Sequence, residues 1–121
     1  MKIIGIGTDI INIKRIEKII KKNKTNFLIK IFTKKEIQNI LKYKSNKASK
    51  IAMRFAAKEA FSKAIGTGIG NSLSFLDFEV LNNASGKPYF NVNKSSLKKK
   101  SFYLSMSDDY PWATAFVIAC K

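Results

Sequence analysis

Arg54-Phe55-Ala56-Ala57-Lys58-Glu59-Ala60-Phe61-Ser62-Lys63-Ala64-Ile65-Gly66-Thr67-Gly68 reads as a helix that runs into a glycine-rich stop. Glu59 and Lys63 stand four residues apart, so they share one helix face, one turn from each other. Alanines at 56, 57, 60 and 64 leave room for another backbone or a ligand to come close. A carboxylate and an ammonium beside bare glycines suit a metal–phosphate site, but on these residues alone an ordinary surface ion pair is the favoured reading.

Working outward, the helix is expected from about Ala48 to Ile65, closed by Gly66 and preceded by a polar, basic loop over 42–50. Upstream, residues 2–8 read as a short buried strand, and Asp9 follows as N-cap of a helix over 10–22. Phe27, Leu28, Ile31 and Phe32 should pack a further short helix into the core. Thr33-Lys34-Lys35-Glu36 matches a capping box for the helix that carries Ile37, Ile40 and Leu41. Downstream of Gly70 the period changes to two: Leu76, Phe78 and Val80 alternate with Asp77 and Glu79, as in a half-buried strand. Residues 82–87 read as a turn, 88–92 as the returning strand and 94–100 as a basic connection. A second hairpin is expected over 102–107 and 112–119, turned at Asp108-Asp109-Tyr110-Pro111. Helices fill the first half and antiparallel strands the second, so the fold class is α+β, with 1–121 as a single domain.

The 121 residues carry 23 Lys+Arg against 8 Asp+Glu, a formal net charge of +15, which draws polyanions: nucleic acid, an anionic membrane surface, a phosphate-rich cofactor or an acidic protein. Arg15 and Arg54 are the only arginines in a lysine-biased chain, which points to positions that need a planar fork of donors. With no histidine, Ser-His-Asp, Cys-His and His-based zinc chemistry are excluded. The lone Cys120 fits a reducing compartment. No apolar run is long enough for a bilayer span, and the strand-like start lacks the features of a signal peptide. Asp9 and Glu59 together can hold a magnesium ion, because Mg²⁺ takes one or two carboxylates and fills its octahedron with water and phosphate oxygens. Gly66-Thr67-Gly68-Ile69-Gly70 is no Walker motif; it lies at a helix C-terminus, where the dipole repels anions. Ser85-Gly86-Lys87-Pro88 is by its composition a hairpin tip.

Several blocks occur in order across most of the chain. They are Ile4-Gly5-Ile6-Gly7-Thr8-Asp9-Ile10, Lys14-Arg15-Ile16, Phe32-Thr33 with Glu36, the Arg54–Ala64 run, Gly66-Thr67-Gly68 and Gly86-Lys87-Pro88. This order and spacing resembles the holo-acyl-carrier-protein synthases, the small trimeric class of 4′-phosphopantetheinyl transferases. The resemblance implies their fold, a helical first half packed on antiparallel hairpins, and their reaction. In that reaction the 4′-phosphopantetheine arm of coenzyme A moves to a serine of an acidic acyl carrier protein, adenosine 3′,5′-bisphosphate leaves, and the product serves fatty-acid biosynthesis. It implies Asp9 and Glu59 as Mg²⁺ ligands and Lys63 as the phosphate-contacting lysine. It implies that the carrier serine loses its proton to Glu59 or to a metal-bound water, the water being the better base. Arg54, Lys58, Lys63, Gly66, Thr67, Gly68, Gly86, Lys87 and Pro88 match the nucleotide-binding positions, and Arg15 with Lys22 the carrier-binding surface. It also implies a homotrimer with sites between subunits, and a bacterial-type cytoplasm or an organelle of bacterial descent.

One position departs from the pattern: Ser105-Met106-Ser107-Asp108 ends in aspartate where the family usually has histidine, and an aspartate beside a phosphate repels it. Two rival readings stand beside the transferase. A basic nucleic-acid-binding domain would need aromatics on an exposed face, whereas the nine phenylalanines sit mostly at core-like positions. A non-catalytic adaptor for carrier proteins is the other. The expectation is no nucleic-acid partner and no membrane insertion.

Overall fold

The computed structural model describes residues 1–121. Strand β1 (Ile3–Asn12) leads into helix α1 (Ile13–Ile31), α2 (Lys34–Leu41) and α3 (Lys47–Ile65). After a glycine-rich loop and a 3₁₀ turn at Phe75–Asp77 come β2 (Phe78–Asn82), β3 (Pro88–Val92), a second 3₁₀ turn at Ser95–Leu97, β4 (Ser101–Asp109) and β5 (Trp112–Cys120). The strands make two antiparallel sheets, one in the order β1-β5-β4 and one of β2 with β3. Helices thus dominate the first half and hairpins the second, as the α+β reading expects, but the first strand joins the larger sheet at its edge, beside the central β5. Beyond β1 and β5, the amide and carbonyl of Lys2 exchange hydrogen bonds with those of Lys121, at 3.0 and 2.8 Å.

β1 differs from expectation in a way that matters for the site. The strand does not stop at residue 8; it continues through Asp9 to Asn12, and it is Asn12 whose side chain caps α1 by accepting from the Lys14 amide. Asp9 is therefore a strand residue opposite Ala115, not a helix cap. The reason is pairing: β5 offers partners all the way to Trp112, and that ladder outweighs a cap that Asn12 supplies equally well. α1 is kinked at Asn23 (φ −161°, ψ 68°), which divides it where the sequence suggests two helices. The capping box at Thr33 and Glu36 is present, and Gly66 (φ 96°) closes α3 with its amide on the Ser62 carbonyl.

Two further elements depart from their sequence patterns. Leu76 belongs to the 3₁₀ turn and is exposed, while Glu79, expected on a solvated face, is buried in β2. Glu79 accepts from the Thr33 hydroxyl and from the Asn91 side-chain amide, so the neighbouring α2 and β3 satisfy it. Asp108 lies within β4 rather than in the turn, which Tyr110 and Pro111 alone supply.

α3 is the centre of the molecule. Its residues from Ile51 to Ala64 are buried on nearly every side, between the β1-β5-β4 sheet and the remaining elements. The sheet face toward it is small: Gly5, Gly7 and Asp9 from β1 stand opposite Ala119, Val117 and Ala115 from β5. Phe61 anchors the other strands, stacking on Phe78 with centroids 4.1 Å apart and touching Phe90 and Phe102 at 4.8 and 4.4 Å. Of the nine phenylalanines only Phe116 is exposed. No helix is long and apolar enough to cross a membrane.

Candidate active site

β1 approaches α3 closely because it has glycines where the helix presents alanines. A Cβ on Gly7 would stand 1.9 Å from the Ala60 carbonyl oxygen, and one on Gly5 1.9 Å from that of Ala64. Only hydrogen fits there. This contact puts Asp9, two residues along the same strand face, beside the next exposed turn of α3. The Lys63 ammonium donates to Asp9 Oδ1 at 3.2 Å and to the Thr8 carbonyl at 3.0 Å. Glu59, one turn before Lys63, lies within electrostatic reach of both. Burial, then the Asp9 charge, push the Glu59 carboxyl above its ordinary range, and Lys63 opposes the rise.

Asp9, Glu59 and Lys63 thus converge from two elements. No cluster of three or more acidic, cysteine or histidine side chains is present, so the pair could not form an all-protein cage. Two carboxylates that repel each other, one ammonium and open solvent on the remaining side do fit a hydrated Mg²⁺ that also takes phosphate oxygens. Just past Lys63, Gly66 and Gly68 have positive φ and nothing within 4 Å of a Cβ position, which leaves clear space over the end of the helix. Thr67 is exposed between them.

The second group of expected residues lies elsewhere. Arg54, 2% exposed, donates to the Lys50 carbonyl (3.2 Å), the Tyr43 hydroxyl (3.2 Å) and Asn82 Oδ1 (2.8 Å). Its guanidinium lies 5.5 Å from the Tyr43 ring centroid. Arg54, Gly86, Pro88 and Asp108 line one cleft of about 290 Å³ together with Tyr43 and Asn82, and its lining does not include Asp9, Glu59 or Lys63. Lys87 lines an adjoining groove between β3 and β4. Arg54 and Glu59 are five residues apart, hence about 140° around α3. Arg15 and Lys22 are both exposed on α1. Tyr43 and Asn82 have no spacing that marks them in the sequence; only the fold brings them to Arg54.

Lys58 corrects an expectation. Expected among nucleotide-binding positions, it is instead 0% exposed, and its ammonium donates to Glu36 Oε1 (2.7 Å) and to the carbonyls of Ile31 (2.9 Å), Phe75 (2.7 Å) and Phe78 (2.9 Å). Three N–H bonds shared among four acceptors leave none for a ligand. Burial lowers the lysine and raises Glu36, while their mutual attraction opposes both shifts. The capping box had explained Glu36 fully, and so hid this second partner.

The sequence model of the 4′-phosphopantetheinyl transferase superfamily matches residues 5–115. The chain belongs to this superfamily. A holo-[acyl-carrier-protein] synthase of Wolbachia pipientis from Culex pipiens is 47% identical over 121 residues, with 98% of each chain covered. Among solved structures, that of the holo-[acyl-carrier-protein] synthase of Neisseria meningitidis is 40% identical, with a TM-score of 0.88 over 98% of this chain and 99% of that one. A synthase from Bacillus anthracis, solved in complex with CoA (3′,5′-ADP), has the same identity and TM-score over 100% and 99%. The phosphopantetheinyl transferase architecture is therefore the fold of this chain, and the protein is an enzyme of the transferase class.

Proposed function

We propose that this single-domain transferase moves 4′-phosphopantetheine from coenzyme A to a serine of an apo acyl carrier protein, in the cytoplasm of a bacterial-type cell and in support of lipid synthesis. The observation that carries the reading is the convergence of the Asp9 and Glu59 carboxylates with the Lys63 ammonium beside an open glycine loop. Asp9 and Glu59 would hold Mg²⁺, which when bound supplies charge neutralisation and orientation for the coenzyme A pyrophosphate. Lys63 would contact the same phosphates and offset the charge that develops on the departing bisphosphate. Glu59, turned toward a cation, is a poor base, and the serine proton passes to water in the site. Gly66, Thr67 and Gly68 border the nucleotide with no side chain in its way. Arg54, Gly86, Lys87 and Pro88 would receive the nucleotide's other end.

These two groups face different ways on one copy of α3, which favours a site completed by a neighbouring subunit. The outer face of the β1-β5-β4 sheet supports such assembly. Ile6, Ile10, Trp112, Phe116 and Tyr103 alternate with the inward residues on that face and are each more than 40% exposed. Contiguous apolar surface of this kind marks an interaction face, and a homotrimer closes it around a three-fold axis. The cationic face of α1, with Arg15 and Lys22, would meet the acidic carrier and speed encounter.

The deciding experiment is mass spectrometry of apo carrier protein incubated with coenzyme A and Mg²⁺, with and without chelator. A mass gain equal to one phosphopantetheine, abolished by chelator, is the expected result. No gain in any condition overturns the reading.

A further inference from the structure

α3 is held from two opposite sides, and Glu59 sits at the seam. Lys58 and Ala60 are separated by about 200° around the helix. Ala60 faces the sheet, where Gly7 fixes the distance between helix and β1. Lys58 faces the other way and ends on four acceptors that belong to four separate pieces of chain: the last turn of α1 (Ile31), α2 (Glu36), the 3₁₀ turn (Phe75) and the start of β2 (Phe78). The aromatic rings of Phe32 and Phe78 lie 5.3 and 5.1 Å from the ammonium. Glu36 is itself fixed, since Oε1 also accepts the Thr33 amide and Oε2 the Val80 amide. No other side chain on α3 makes so many bonds, and this one directly precedes Glu59. The Phe75 carbonyl also marks the far end of the loop that starts at Gly66, Thr67 and Gly68, so the same ammonium limits where that loop returns to the core.

We propose that Lys58 is a positioning residue: its ammonium sets the rotation of α3, and thereby aims Glu59 at Asp9 and seats the glycine loop. The inference rests on the assignment of Asp9 and Glu59 as cation ligands. A backbone-tied lysine acts here as a second shell does around a metal ligand, where loss of the supporting bonds costs about 10- to 100-fold in metal affinity.

The test reads metal affinity rather than turnover. Mn²⁺ alone is titrated into the full-length protein and its free signal followed by electron paramagnetic resonance. In one variant, Lys58→Met with Glu36→Met, both charges go together, so no unpaired ion is buried. We expect Mn²⁺ affinity at least about tenfold weaker, while Leu97→Ala, a core truncation on another element that loses thermal stability, keeps wild-type affinity. Equal Mn²⁺ affinity in the folded double variant and wild type overturns the proposal, as does an equal loss in Leu97→Ala. Should the double variant not fold, Lys58→Arg decides: a planar guanidinium keeps the charge beside Glu36 but cannot meet the same three carbonyls, so its Mn²⁺ affinity must fall. Wild-type protein that binds no Mn²⁺ removes the cation assignment itself, an outcome distinct from unchanged affinity in the variants.

Discussion

The Cα of Gly7 rests against the carbonyl oxygen of Ala60, so close that a methyl group on that glycine would stand 1.9 Å from the oxygen. The contact lies two residues from Asp9 on one side and one residue from Glu59 on the other. Gly7→Ala must push the strand from the helix, an overpacking that costs about 1–3 kcal/mol. The expected outcome is a lower melting temperature together with a large loss of transfer. Gly70→Ala, where a Cβ meets nothing within 4 Å, is the matched control and should keep both.

Glu59 is less stable as a charged group here than in an unfolded chain. Its carboxyl is raised above 4.5, so between that value and its elevated pKa the folded protein retains a proton that the unfolded chain has released. Stability therefore falls as pH rises through this window, and the deficit persists at neutral pH. Glu59→Gln should melt a few degrees higher than wild type at pH 7 without divalent ions, lose that advantage below about pH 4.5, and transfer nothing. Calorimetry at the two pH values checks the first part.

The same shift governs cation demand. A proton on Glu59 competes with the metal, so the Mg²⁺ concentration for half-maximal transfer should rise as pH drops into the window above 4.5. A half-maximal Mg²⁺ concentration that is flat with pH would contradict the role given to this residue.

Arg54 donates to three partners from a planar fork, a geometry that the compact ammonium of lysine does not reproduce. Arg54→Lys should raise the KM for coenzyme A about tenfold, the worth of one charged hydrogen bond, with a smaller effect on kcat. Steady-state kinetics at saturating carrier protein separates the two.

If Arg54 and Glu59 serve the same site from different subunits, two dead variants can rescue each other. Arg54→Ala and Glu59→Gln, each inactive, should regain activity when unfolded together and refolded, because about a quarter of the sites in randomly mixed trimers then combine two intact halves. Sedimentation of Phe116→Asp, expected to be monomeric and inactive, tests the apolar sheet face independently.

Local signals carried much of this molecule. The Thr33 capping box, the stop at Gly66 and the turn at 82–87 are governed by nearby residues, and each stands where its sequence suggests. Pairing across the chain was less legible. Asp9 reads as a cap because nothing near it announces β5, more than a hundred residues away. Glu79 reads as a solvated charge and Lys58 as a nucleotide contact because their partners, Thr33 and Asn91 for one and Glu36 for the other, come from other elements. Asp9, Glu59 and Lys63 stood out through the order of their motifs, whereas Tyr43 and Asn82 carried no motif at all.

The hydrogen bonds between Lys2 and Lys121 have a consequence for synthesis. β1 is made well before its only partner in the sheet, β5, which lies about a hundred residues further along the chain. Until β5 emerges, the segment with Asp9 has no ladder to join, and the early helices wait beside an unfinished sheet. The strand that carries Asp9 is thus settled against α3 only once β5 is present to pair with it.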